Sequence, residues 1–122
     1  MKIITEKEFN NLTKEQQTCC VKLSNGTKEW YKEGILHRDD GPAVEYDNGD
    51  KHWFKDYKPH RLDGPAIEHD SGYKVWYKEG ILHREDGPAI EYLCGDKVYY
   101  LDGVRYSYNE WYAIVNNLNK FI

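Results

Sequence analysis

The chain has 122 residues, a net charge of −4 and 39 % hydrophobic residues, which suits one domain with a modest core. Its 17 Lys and Arg are interspersed with 21 Asp and Glu, so it lacks the clustered basic face that duplex nucleic acid requires. No apolar run approaches the ~20 residues of a spanning helix, and the cysteines Cys19, Cys20 and Cys94 form neither a disulfide framework nor a metal motif.

From the start, Met1 to Glu6 quickly turns polar and acidic, so no signal peptide is expected. With reduced thiols, the chain reads as cytoplasmic. Thr5-Glu6-Lys7-Glu8 is a capping box predicting a helix to about Asn11, and Thr13-Lys14-Glu15-Gln16 repeats the signal. Residues 1–20 therefore read as an N-terminal helical cap. Phe9 and Leu12 would dock it, and Cys19-Cys20 would be buried before the first strand.

A 23-residue unit then recurs, starting at Val21, Val44, Ile67 and Ile90. The first copy runs through Asn25-Gly26 and Lys28-Glu29-Trp30-Tyr31-Lys32 to His37-Arg38 and Asp40-Gly41-Pro42-Ala43. The second keeps Trp53-Phe54, His60-Arg61 and Asp63-Gly64-Pro65-Ala66, and the third keeps Trp76-Tyr77, His83-Arg84 and Asp86-Gly87-Pro88-Ala89. The fourth is partial and fades after Gly103. In each unit a strand through the Trp alternates in character, as does a second around Val44 or its equivalents. Tight turns at Asp47-Asn48-Gly49-Asp50 and Asp70-Ser71-Gly72 join the second strand to the next Trp strand. A longer link, ending in a rigid Gly-Pro, leads from each Trp strand back. Two strands per unit make about eight, each unit advancing the sheet by roughly 10 Å. Ser107-Tyr108-Asn109-Glu110 is a third capping box, opening a helix with Trp111, Ile114, Val115 and Leu118 on one face.

The expected fold is mainly β: a single-layer antiparallel meander of β-hairpin repeats, capped by short terminal α-helices. One domain results, with the cap at 1–20, the repeats at 21–106 (21–43, 44–66, 67–89 and a partial 90–106) and a C-terminal helix at 107–122. The pattern Gly-x-x-x-x-Trp-Tyr-x-x-Gly-x-x-His-Arg-x-Asp-Gly-Pro-Ala resembles the MORN repeat variant of bacterial and bacteriophage proteins, over Val21 to about Tyr106. Unit two departs from it at Tyr57 and Pro59, and unit four lacks His, Arg and Gly-Pro-Ala. The resemblance implies a hairpin array used for contacts, with antitoxin-like relatives that partner toxins. Its phage-like side implies an inhibitor of a host defence system, working in the host cytoplasm.

The periodic polar residues divide into two sets. His37, Arg38 and Asp40, His60, Arg61 and Asp63, and His83, Arg84 and Asp86 offer the same groups at separate points, whereas catalysis needs different groups at one point. At about 10 Å apart the histidines cannot share a metal ion with ~2 Å bonds. We read them as a latch on the long link, with a ligand-binding row as the alternative; no catalytic residue, metal or cofactor is expected. Lys28, Lys51, Lys74 and Lys97 would pair across strands with Glu45, Glu68 and Glu91. Trp30, Trp53 and Trp76, with Tyr99 as fourth member, form a ladder opposite Tyr31, Phe54, Tyr77 and Tyr100. The ladder is either core packing or a contact surface. Trp30, Tyr31, Trp53, Phe54, Trp76, Tyr77 and Tyr100 are the candidate partner-binding residues.

The functional expectation is a non-enzymatic interaction module that binds and occludes another protein: a toxin, a nuclease or a host defence component. Self-association stays open, and neither a membrane nor duplex nucleic acid is expected as a partner. The alternative is a protein that sequesters a small molecule or nucleotide.

Overall fold

A computed structural model describes residues 2–117 of the chain. It is mainly β, with a large, mostly antiparallel open sheet and two short helices near the termini. The Thr5 capping box forms: Glu8 N donates to Thr5 Oγ1 and Thr5 N donates to Glu8 Oε1, opening α1 (Glu6–Asn10). The second signal yields only a 3₁₀ turn, Lys14–Gln16. Residues 2–20 are not purely helical. β1 (Ile3–Thr5) pairs in parallel with β2 (Cys19–Lys22), so Cys19 and Cys20 lie within a strand, β2, rather than before the first one, and are buried. Ile4, Cys19 and Val21 form a small core under Phe9, Leu12, Leu23 and Tyr31.

The repeats hold more strands than the eight expected. β3 (Lys28–Lys32) and β4 (Ile35–Leu36) come from unit one. Unit two supplies β5 (Val44–Glu45), β6 (Lys51–His52), β7 (Phe54–Lys55) and β8 (Lys58–Pro59). Unit three supplies β9 (Ile67–Glu68), β10 (Lys74–Val75), β11 (Tyr77–Lys78) and β12 (Ile81–Leu82). Unit four supplies β13 (Ile90–Glu91), β14 (Lys97–Leu101) and β15 (Val104–Tyr106), followed by α2 (Tyr108–Val115). The main path runs β1-β2-β3-β5-β6-β9-β10-β13-β14-β15, with β4 beside β3; β7-β8 and β11-β12 form separate ladders.

Each Trp changes partners, and this is why a unit holds four short strands rather than two. Trp53 N donates to Ala66 O in the main sheet at 2.7 Å, while Trp53 O accepts from His60 N in the side hairpin at 3.0 Å. Trp30 and Trp76 repeat both bonds with Ala43 and His37, and with Ala89 and His83. The chain passes from one ladder to the other there, and Ala43, Ala66 and Ala89, whose carbonyls accept from the Trp N–H, have 0 % exposure.

The link beyond the Trp is itself a hairpin. Its two-residue turns are Glu33-Gly34, Asp56-Tyr57, Glu79-Gly80 and Asp102-Gly103, all at positive φ, as a type I′ turn requires. Register places Val21, Glu29, Val44, His52, Ile67, Val75, Ile90 and Val98 on one face of the main sheet. Lys28, Lys51, Lys74 and Lys97 stand opposite Glu45, Glu68 and Glu91 on the other face.

Of the four side-hairpin turns, only Asp56-Tyr57 places a side chain where the others have Gly, at φ +69°. A left-handed L-residue costs about 1–2 kcal/mol, partly offset by the extra chain entropy that Gly loses on folding. Tyr57→Gly is therefore expected to stabilise the fold by about 0.5–1 kcal/mol, read as a higher urea midpoint at unchanged slope.

Candidate functional site: a row of clefts between Trp–Arg clamps

In each of the first three units the Arg guanidinium lies over the Trp of the same unit, 3.9, 3.9 and 3.7 Å from the ring centroid. Its N–H groups are directed to the Asp-Gly-Pro loop of the same unit and to the Glu in the first strand of the next. Arg61 Nε donates to Asp63 Oδ1 at 3.0 Å, and Nη1 donates to Pro65 O at 3.2 Å and to Glu68 Oε2 at 3.4 Å. Arg38 and Arg84 do the same with Asp40, Pro42 and Glu45, and with Asp86, Pro88 and Glu91. Glu45, Glu68 and Glu91, expected to pair with lysines across the strands, thus turn to Arg. A Cβ on Gly64 would come within 2.8 Å of Arg61 Cζ, so the Asp-Gly-Pro glycine makes room for the clamp.

The histidines act between units. Nδ1 of His37, His60 and His83 accepts from the backbone N–H of Asp56, Glu79 and Asp102, the first residue of the next side turn. The second turn residue donates to the preceding hairpin: Tyr57 to Leu36 O, Gly80 to Pro59 O and Gly103 to Leu82 O. An accepting Nδ1 puts the ring proton on Nε2, which in His37 lies 2.9 Å from Asp39 Oδ1. At the N-terminal end, Thr18 Oγ1 and Gln17 O accept from Glu33 and Gly34, standing in for a preceding unit.

The Trp residues floor three related clefts in a row: those of about 690 and 670 Å³ lie between successive loops, and the first, about 640 Å³, lies between the N-terminal segment (Ile3, Thr18 and Cys20) and the loop of unit one. Each contains Trp30-Tyr31-Lys32, Trp53-Phe54-Lys55 or Trp76-Tyr77-Lys78, together with His and Arg from its unit. The Trp residues are half-buried, neither a sealed core nor bare anchors. Tyr31, Phe54, Tyr77 and Tyr100 are half-buried too; Phe9 covers Tyr31 at 4.5 Å. Tyr100 lies on β14, against which α2 packs.

The sequence reading missed three contributors: the cleft lysines; Leu62, which is 80 % exposed and lines two clefts; and the side turns, whose N–H groups donate to the His rings. Leu62 did carry a signal, being apolar in a slot that holds Asp39 and Glu85 elsewhere.

Burial raises the Cys19 and Cys20 thiols above their ordinary range, which disfavours the nucleophilic thiolate. Tyr31 is raised by burial and then by Glu29, whose carboxylate accepts its hydroxyl. Among the described residues no group of three or more His, Cys, Asp or Glu could hold a metal ion, and no helix is long and apolar enough to cross a membrane. No family model, curated protein or solved structure matches the chain.

Arg61→Lys keeps the charge but loses the planar stack and the fork of donors, leaving acceptors unmet. It is expected to cost about 2 kcal/mol in chemical denaturation. His52 takes the slot of Val75 and Val98, its Nε2 is buried without a partner, and its ring stacks on His69 at 5.7 Å. Burial, then His69, lowers its pKa from 6.5, against the pull of Asp50. A depressed histidine contributes stability that is present above the unfolded value of about 6.5 and is lost as pH falls through the folded value. His52→Val should therefore stabilise the fold by about 1 kcal/mol at neutral pH and flatten its decline below pH ~6.5, seen in denaturation midpoints against pH.

Proposed function

We propose that this chain is a non-enzymatic protein-interaction module, a β-hairpin array of the MORN repeat variant kind, that binds and occludes a partner along its cleft face. One observation carries the reading: three related open clefts lie in a row, two of them equivalent, with an exposed Leu62 lining both of those. The walls are stiff, because Arg and His are already bound within and between units. Rigid apolar anchors flanked by charge suit protein recognition, since little side-chain freedom remains to be lost on binding. The reactive side chains are held in structural bonds and recur at separate points, which favours binding over catalysis.

In this reading the array is one antiparallel meander of 23-residue units closed by helices at both ends. Trp30, Tyr31, Trp53, Phe54, Trp76 and Tyr77 form the cleft floors, and Tyr100 belongs to the closed end. The partner is a toxin, a nuclease or a host defence protein in the cytoplasm where the chain acts, and the mode is antitoxin-like inhibition. The cleft volumes also fall in the range of small-ligand sites, which supports a nucleotide-sequestering protein as the second reading. The clamped guanidinium groups weaken it, leaving only one Lys per cleft for a phosphate.

A photocrosslinking residue at Leu62, compared with one at Leu93, tests the proposal in the native cell. Both sites are exposed, but only Leu62 lies on the cleft face. One discrete protein adduct from position 62 and none from position 93 is expected. Equal labelling, or none, overturns the proposal, and a nucleotide that raises the melting midpoint instead supports the second reading.

A further inference from the structure

The row of clefts has a fourth member, and the chain's own C-terminal helix fills it. Tyr99 stands in the Trp slot there, but where an Arg would follow the sequence has Ser107. Ser107 caps α2, with Glu110 N donating to its Oγ. Trp111 then lies 4.9 Å from the Tyr99 ring, and its Nε1 donates to Arg84 O at 3.0 Å. Tyr108 covers the same ring at 5.4 Å. Trp111 is buried, and Gly87 is buried while its equivalents Gly41 and Gly64 are half-buried. An indole thus bridges one unit's Arg carbonyl and the next unit's aromatic floor.

Arg38 O and Arg61 O occupy the equivalent wall of the second and third clefts. These differ from the fourth in one informative way. Lys55 and Lys78 line them where the fourth has Leu101, and Leu101 shares its space with Ile114 and Val115. The clefts are also lined by Asp39, Asp40 and Asp63 and by Asp63, Glu85 and Asp86, but these acids already meet His or Arg, whereas Lys55 and Lys78 form no ion pair among the described residues. Complementarity to that remaining Lys calls for a carboxylate where α2 presents Ile114, three residues after its Trp.

Building on the interaction reading, we propose that the open clefts around Trp53 and Trp76 each bind a short segment of a partner protein bearing a Trp. An Asp or Glu follows that Trp by three residues, and the segment reaches the carbonyl wall that α2 reaches in the fourth cleft, lying beside the floor ring rather than over it because Arg61 or Arg84 already covers the face of Trp53 or Trp76. The indole N–H donates to Arg38 O or Arg61 O, its ring packs beside the clamped Trp and against Leu62, and the carboxylate meets Lys55 or Lys78. Leu62 belongs to this site rather than to the scaffold. Asp39 and Glu85, its equivalents, meet the Nε2 of their own histidine, and a leucine gives up that bond.

The probes are synthetic peptides spanning residues 106–117 of this chain: one unmodified, one with Ile114→Glu, and one with both Ile114→Glu and Trp111→Ala. Each is titrated against the full chain by fluorescence anisotropy. The Ile114→Glu peptide is expected to bind at least about tenfold more tightly than the unmodified one, and the doubly changed peptide at least about thirtyfold more weakly, as for a hot-spot anchor. Leu62→Asp in the protein, a change that unit one already contains as Asp39, should keep or raise the melting midpoint and weaken binding about tenfold. No binding of the Ile114→Glu peptide overturns the proposal. So does binding indifferent to Trp111, or unaffected by Leu62→Asp, since the latter marks exchange at the fourth cleft. A specific adduct from position 62 with failed peptides leaves the interaction reading standing and removes only the segment chemistry.

Discussion

The Arg guanidinium held flat on a Trp ring is the contact from which the rest of the unit follows. Arg61 ties together the Trp strand beneath it, the Asp-Gly-Pro loop beside it and the strand of Glu68 beyond. Only a planar, permanently charged group with several directed donors can meet a ring face, a carboxylate, a carbonyl and a second carboxylate together. The neighbouring residue types answer to it. The loop glycine leaves room for Cζ, the proline supplies a carbonyl without an N–H to be satisfied, and the wholly buried alanine accepts from the Trp where it exchanges ladders.

An array of such units has the problem of ending. Each unit leaves donors on its turn and an aromatic ring on its floor for a neighbour to satisfy, so the first and last copies need substitutes. At the N-terminal side Thr18 and Gln17 present a hydroxyl and a carbonyl to the Glu33-Gly34 turn, where inner units present a histidine nitrogen and a carbonyl. At the C-terminal side Trp111 and Tyr108 lie on Tyr99 in place of the absent guanidinium. Both ends imitate the interior with different chemistry, and the C-terminal one is the pattern for the segment proposed above.

Much of this was legible in the sequence. The 23-residue period, the Asn-Gly and Ser-Gly turns and the capping boxes at Thr5 and Ser107 are local signals, and each produced its element. Leu118, expected on the apolar stripe of the last helix, lies outside the described residues. What escaped notice depends on partners distant in the chain. The side hairpins have arms as short as two residues, too short for alternation to show, so Glu79-Gly80 read as part of a link rather than as a turn. β1 needs β2 beside it and carries no turn that announces the pairing. Arg61 and Asp63, two residues apart, suggested a latch from spacing alone. The histidine bond to a turn 19 residues ahead did not, because only the stacking of units brings the two together.

Where every unit repeats a residue, the scaffold accounts for it, so individuality belongs to slots where one unit breaks the pattern. Three such slots have different physical characters. His52, in a valine slot, leaves a buried nitrogen unmet and lies on the face opposite the Trp row, so it lowers stability without touching a cleft. Tyr57, in a glycine slot, strains its turn and points a large ring outward. Leu62, in an acidic slot, relinquishes a bond to its histidine and exposes an apolar side chain between two clefts. Of the three, only Leu62 both costs the scaffold a contact and adds apolar surface where a partner would sit. An exposed leucine alone is ordinary on a protein surface. One that stands in place of a hydrogen-bonding acid at the junction of two open clefts gains the fold nothing, and is what the proposed interaction would require.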